Sequence, residues 1–162
     1  MNEKTGRKIA IVLAILCGFG LVTMWAFQYF VRTYSVIDRA MEPALPIGTV
    51  VWVRRGREVG RGAVVAMRKP PQHVQIVIRR VVARGGDRVE VRDGHLFVNG
   101  IDRGESGMDY DAPTWVPKDH YFVACDDRTN MADSRTWSVV SREQVIGPVI
   151  SAFYGARGFF NP

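Results

Sequence analysis

Residues 89–98 read Val-Glu-Val-Arg-Asp-Gly-His-Leu-Phe-Val. Apolar residues recur at every second position on the near side of Asp93-Gly94 and cluster again beyond it, as in strands that bury one face. Asp-Gly supplies the positive φ angles of a tight two-residue turn, so the stretch predicts a β-hairpin. Working outward, similar short β-rich runs recur at 49–53 (Thr-Val-Val-Trp-Val), 63–67 (Ala-Val-Val-Ala-Met), 74–78 (Val-Gln-Ile-Val-Ile) and 120–124 (His-Tyr-Phe-Val-Ala). Gly, Pro or charged residues punctuate them. Asn99-Gly100 ends the second hairpin strand, and the polar, turn-rich stretch 102–117 predicts a loop. Ser141-Arg142-Glu143-Gln144 resembles a capping box on a short helical turn, closed by Gly147-Pro148. With no internal repeat, low-complexity tract or interdomain linker, this region predicts one mainly β domain.

The N-terminal part differs in kind. Residues 9–31 run Ile-Ala-Ile-Val-Leu-Ala-Ile-Leu-Cys-Gly-Phe-Gly-Leu-Val-Thr-Met-Trp-Ala-Phe-Gln-Tyr-Phe-Val without a charge. As a helix they would reach roughly 35 Å, enough for a bilayer core with some tilt. Lys4, Arg7 and Lys8 precede the segment and Arg32 follows it, with Trp25, Tyr29 and Phe30 near the far end, where amphipathic rings favour the interface. A cleaved signal peptide needs an apolar core of about 7–15 residues and a small-x-small site, and Val31-Arg32-Thr33-Tyr34 offers none. The expectation is an uncleaved single-pass anchor: 1–8 a short cytoplasmic N-terminus, 9–31 a transmembrane helix, 32–162 a periplasmic or extracellular domain. The basic flank sets that orientation.

The chain has 162 residues, 22 Lys plus Arg, 16 Asp plus Glu and a formal charge of +6. At 47% hydrophobic it is no disordered tail, and its two cysteines are too few for a disulfide scaffold. Arg54, Arg55, Arg57 and Arg61 concentrate positive charge. Beside an anchor, such a patch suits lipid headgroups or an acidic partner better than nucleic acid, and suits a plain solvated surface equally well, so no nucleic-acid partner is expected. Cys17 lies in the apolar segment and Cys125 far out in the domain, so no pairing is expected.

Four motifs follow the anchor in order: Ala40-Met41-Glu42-Pro43-Ala44-Leu45; Arg79-Arg80-Val81-Val82-Ala83-Arg84-Gly85-Gly86-Asp87; Leu96-Phe97-Val98-Asn99-Gly100; and Cys125-Asp126-Asp127-Arg128 with Asp133-Ser134-Arg135 and Trp137. Together they resemble the bacterial type I signal peptidases, the S26 family of membrane-bound serine proteases. The family pattern runs Ser-x-Ser-Met-x-Pro-Thr-Leu, Lys-Arg-Val-Val-x-x-Pro-Gly-Asp, then Gly-Asp-Asn-Arg-x-x-Ser-x-Asp-Ser-Arg-x-Trp-Gly. The resemblance covers nearly everything from the anchor to about Ile150. It implies a signal-peptidase-like β domain outside the bacterial cytoplasmic membrane, with a cleft near the membrane surface. There a serine hydroxyl attacks a peptide carbonyl and a neutral lysine takes its proton.

Residue by residue, the chemical positions have changed. The family nucleophile falls on Ala40, whose methyl cannot attack a carbonyl. The lysine falls on Arg79, which stays protonated at physiological pH. The oxyanion-hole serine falls on Asp38, a carboxylate that would repel developing negative charge. The serine that orients the lysine falls on Met131. Cys125 and Ser138 replace glycines, whereas Asp126, Arg128, Asp133, Ser134 and Arg135 match the pattern. Asp38 and Arg79 could pair where nucleophile and base would meet, keeping the cleft closed.

The expectation drawn from these replacements is a pseudoenzyme, not an enzyme: a binding, structural or assembly subunit of a membrane or cell-envelope complex, with protein partners and the lipid bilayer. Candidate binding residues are Asp38, Met41, Arg79, Asp126, Arg128, Asp133, Ser134 and Arg135. The alternative is an active signal peptidase using another nucleophile and base. Some relatives of the family place His where the lysine stands, but His73, His95 and His120 do not fall there. Thr33 and Ser35 lie seven and five residues before Ala40. Cys125 reads as a buried structural thiol rather than a nucleophile. No metal-ligand spacing or phosphate-cradling glycine loop occurs, so no metal or cofactor is expected. Phe159 and Phe160 near the C-terminus suit either a docking surface or packing on their own domain.

Overall fold

The structure is a computed structural model describing residues 3–56, 58–71, 74–108, 110–155 and 158–162. The chain divides into two compact units, Met1–Arg32 and Thr33–Pro162. The first is helix α1 (Glu3–Phe30). Its segment Gly6–Phe30 is long and apolar enough to cross a membrane, with a mean hydropathy of 2.4 and none of it buried within the protein. Trp25 stacks on Tyr29, with ring centroids 5.9 Å apart, and Tyr29 meets Phe30 edge-on.

The second unit is built of strands. The larger sheet orders β1 (Val31–Ser35), β2 (Val50–Arg54), β11 (Val145–Tyr154), β3 (Val64–Arg68), β4 (Ile76–Arg84), β9 (His120–Ala124) and β10 (Val140–Ser141), with β12 (Gly158–Phe160) paired to β11. β11 turns a corner: Val145–Pro148 pairs with β3 and Val149–Phe153 with β2, with a register shift in each ladder. Gly147 is required at that corner, because a Cβ there would lie 2.0 Å from the Arg54 carbonyl oxygen. Alternate residues of β3 serve different cores. Val64 and Ala66 join Val36, Met41, Leu45, Val51 and Ile78, whereas Val65 and Met67 join Val77, Val81, Val123 and Val140. The two-residue period of a strand produces that division.

The smaller sheet orders β7 (Ile101–Glu105), β6 (His95–Val98), β5 (Arg88–Arg92) and β8 (Tyr110–Trp115). The hairpin at 89–98 is present as expected: Val91 pairs with Leu96, and Asp93 and Gly94 have φ of 52° and 75°. Val89, Val91, Leu96 and Val98 bury one face against Phe122 and Ala124. The stretch expected as a loop instead holds β7 and β8. All five residues of β7 are exposed, so no apolar alternation marks it; hydrogen bonding to β6 makes the strand. Residues 141–144 form a turn rather than a helix, although the Gln144 side chain does reach back to the Ser141 amide at 2.7 Å.

Candidate functional site

The segment carrying Asp38 and Ala40 is pinned beside β2. The Val36 amide donates to the Thr49 carbonyl at 2.8 Å and its own carbonyl accepts from Gly48 at 2.9 Å. Met41 and Leu45 are fully buried, anchoring the tight turns between them. Ala40 is itself fully buried. Its amide donates to Asp38 Oδ1 at 3.2 Å, and its carbonyl accepts from the Asp127 amide at 3.0 Å. The family nucleophile position thus holds a methyl group whose backbone bonds once within its own segment and once to the loop after β9.

Arg79 stands on β4, its guanidinium only 1% exposed. Nη2 donates to Asp38 Oδ2 at 2.9 Å and Nη1 to Oδ1 at 3.3 Å. Nε donates to the Ala132 carbonyl at 2.7 Å, Nη1 also to Ile78 at 2.5 Å, and Trp137's ring centroid lies 5.7 Å from Cζ. The opposite charges read from the sequence therefore do meet. They meet asymmetrically: Asp38 remains 35% exposed. A permanently charged fork holding a carboxylate can bind and orient, but it accepts no proton. Arg80, next along β4, forks onto Asp126 with both contacts at 2.7 Å.

The loop after β9 supplies the rest. Asp133 caps the short helix α2 (Ser134–Trp137) and receives the Cys125 amide at 2.7 Å. Its carboxylate is forked by Arg135, through Nε at 2.9 Å and Nη2 at 2.6 Å. Arg135 also donates to the carbonyls of Arg128, Asn130 and Ser106. Burial works to raise the Asp133 carboxyl's pKa, but the Arg135 bonds and two backbone amides outweigh it and hold it below the usual range. Ser134 Oγ accepts from the Val123 amide at 3.0 Å. Gly107 lets the smaller sheet's loop approach closely, since a Cβ there would lie 2.4 Å from the Arg128 carbonyl oxygen. Cys125 is fully buried, its Sγ 3.6 Å from the Ala132 carbonyl, and burial pushes the thiol up to about 12. It is therefore protonated and unreactive at neutral pH.

Of the sequence candidates, Asp38, Ala40, Arg79 and the 125–135 loop come together. Met41, Arg79, Asp133, Ser134 and Arg135 are buried, while Asp38, Asp126, Arg128 and Met131 keep part of their surface in solvent. Thr33 and Ser35 are exposed on β1. His95 pairs with Asp102 at 2.8 Å and His120 contacts the Lys118 carbonyl at 2.9 Å. His73 and Arg57 lie outside the described residues. Phe159 packs against Trp52 and Phe153, at 5.5 and 5.0 Å between centroids, while remaining exposed. Among the described residues no three His, Cys, Asp or Glu side chains are grouped to hold a metal ion.

Sequence reasoning missed Asp87. It receives the Arg61 fork, the Asn99 side-chain amide at 2.9 Å and the Arg84 amide at 2.8 Å. These bonds, led by Arg61, hold its carboxyl well below the usual range despite the opposing effect of burial. Asp87 thus ties the Arg79–Asp87 motif to the turn at Asn99-Gly100.

This arrangement of motifs is that of a known family: signal peptidase, peptidase S26, matches residues 7–154. The chain belongs to the S26 signal peptidases. A probable signal peptidase I-2 of Synechocystis is 29% identical over 158 residues, spanning 88% of this chain and 70% of that protein. A signal peptidase IB of Staphylococcus aureus is 27% identical over 167 residues, spanning 83% and 85%. Thylakoidal processing peptidase 1 of Arabidopsis thaliana is 39% identical over 84 residues, 49% of this chain; the match spans only a quarter of that relative's length. A signal peptidase I crystal structure from Enterococcus faecalis is 24% identical, with a TM-score of 0.46, covering 57% of this chain and 97% of its own.

These relatives overturn the expectation that the chain is not an enzyme. They are named peptidases, and the family is one of enzymes. The physical fault in that expectation is plain. Ala40 and Arg79 remove two particular groups; they do not remove every hydroxyl, water or carboxylate that a cleft can recruit.

Proposed function

We propose that this S26 signal peptidase is anchored by α1 with its N-terminus cytoplasmic and works on exported polypeptides outside the membrane, binding them as part of a membrane or cell-envelope complex. The Asp38–Arg79 pair carries this reading. It joins the 36–45 segment to β4 at the family's reaction centre, and the 35% exposed carboxylate offers an acceptor to the amides of an extended chain. The buried arginine holds that acceptor in place without competing for the incoming amides.

Mild-detergent extraction from native membranes, followed by native mass measurement and identification of co-migrating chains, tests the proposal. A partner or preprotein at fixed stoichiometry is expected. A free monomer at native expression level contradicts it.

The relatives' names favour a second reading, in which the chain also cleaves the preprotein it binds. Peptide hydrolysis then needs a nucleophile and base other than positions 40 and 79. Cleavage by the purified full chain, abolished by one of Thr33→Val, Ser35→Ala or Ser134→Ala and retained by Cys125→Ala, supports it. Cleavage by the unmodified chain that no such variant alters points to an activated water instead.

A further inference from the structure

We propose that a cavity lined by Arg61, Arg80, Arg103 and Arg128 binds a phosphate-type oxyanion. The four side chains come from different places: the loop before β3, β4 itself, the exposed strand β7, and the loop after β9. Two are already balanced. Arg61 forks onto Asp87, and Arg80 onto Asp126. Among the described residues no carboxylate is paired with Arg103 or Arg128. Two of the four arginines lining the cavity thus have no carboxylate at ion-pair distance among the described residues.

Arg128 gives the sharper sign. Its Nη1 is buried and has no hydrogen-bond partner among the described residues. A buried, charged donor left unmade is costly, and native proteins satisfy nearly all of them. Burial, with the nearby Arg135 charge, lowers the Arg128 pKa and outweighs the opposing pull of Asp133 and Asp126, so a further anion would favour the charged form. The neighbouring Arg135 shows the contrast, because backbone carbonyls and Asp133 occupy its donors.

The size and layout select the ligand class. At about 270 Å³ the space falls below the ~300–1,000 Å³ of sites for larger organic ligands. A carboxylate is planar and is commonly satisfied by one guanidinium fork. Cations contributed by separate elements suit an anion whose oxygens point in several directions, as phosphate's do. That group could be free inorganic phosphate or the phosphodiester of a lipid headgroup. The inference stands independently of polypeptide binding.

Isothermal titration of the full chain in uncharged detergent, at constant ionic strength and pH 7, tests the site with inorganic phosphate. Saturable binding is expected, weakened by about tenfold or more in Arg103→Gln and in Arg128→Gln and unchanged in Arg92→Gln. Arg103 is exposed, so its variant reports on the site even if Arg128→Gln fails to fold. A second arm adds vesicles of phosphatidylcholine with and without phosphatidylglycerol. Phosphatidylglycerol-dependent binding lost in Arg103→Gln identifies a headgroup; inorganic phosphate binding with no vesicle binding identifies the free anion. Absence of saturable binding in both arms, or equal weakening by Arg92→Gln, overturns the proposal.

Discussion

Arg79–Asp38 and Arg135–Asp133 are the same chemical pair in two different settings. In the second, both side chains are wholly buried, and the arginine reaches three backbone carbonyls from the smaller sheet's loop and the 125–133 loop. In the first, the arginine is as deeply buried but the aspartate stays 35% exposed. The buried clasp lies at motif positions where this chain matches its family; the half-open pair lies where it departs. Residues wired at both ends into backbone are tied to the fold. A pair open at one end can present chemistry to a ligand.

The largest break should come from the closed clasp. Asp133→Ala leaves Arg135 charged, buried and without its carboxylate, and removes the cap of α2 and the acceptor for the Cys125 amide. A loss of about 3–5 kcal/mol is expected, and a melting temperature lower by on the order of 10 °C. Arg79→Met should cost less, about 2 kcal/mol in urea unfolding, because the exposed side of Asp38 rehydrates. Equal losses at the two sites would erase the distinction between them.

The pH dependence sharpens it further. Asp133 and Asp87 have carboxyls below their unfolded values, so the stability they contribute is present above about pH 4 and disappears as pH falls through the folded values. Cys125, pushed up from 9.0 to about 12 by burial in the fold, contributes stability present below pH 9.0 and lost as pH rises toward 12. Urea midpoints should therefore hold between those limits and fall on both sides. In Asp133→Ala the acid limb should shrink. An unchanged acid limb would place the titration elsewhere.

Much of this architecture is legible in the sequence. Asp93-Gly94 announces its hairpin, and the uncharged run at 9–31 announces an apolar helix. The exposed strand β7 escapes a hydropathy reading because none of its residues is buried. The signal that could have found it is Asn99-Gly100, with φ of 53° and 78°, which joins Val98 to Ile101 as tightly as the earlier Asp-Gly turn joins its strands. The Asp38–Arg79 contact was readable once the motifs were aligned, since opposite charges replaced two family groups. The arginine cavity was not. Arg61, Arg80, Arg103 and Arg128 are spread over the chain, and only the two sheets bring them to one wall.

The smallest expected effect is on chemistry. Ala40→Ser combined with Arg79→Lys should leave the rate of preprotein cleavage unchanged, because the motif alignment puts a carboxylate, Asp38, at the family's oxyanion position and a thioether, Met131, at its lysine-orienting position. A rise in that rate after both changes would show those two supporting positions to be dispensable.

The most direct measurement is a double-mutant cycle in urea, with Asp38→Ala, Arg79→Met and the two combined. A coupling of about 1–3 kcal/mol is predicted, since each variant removes the other's partner. Additivity within about 0.5 kcal/mol would contradict it, leaving the pair as neighbours rather than a joined site.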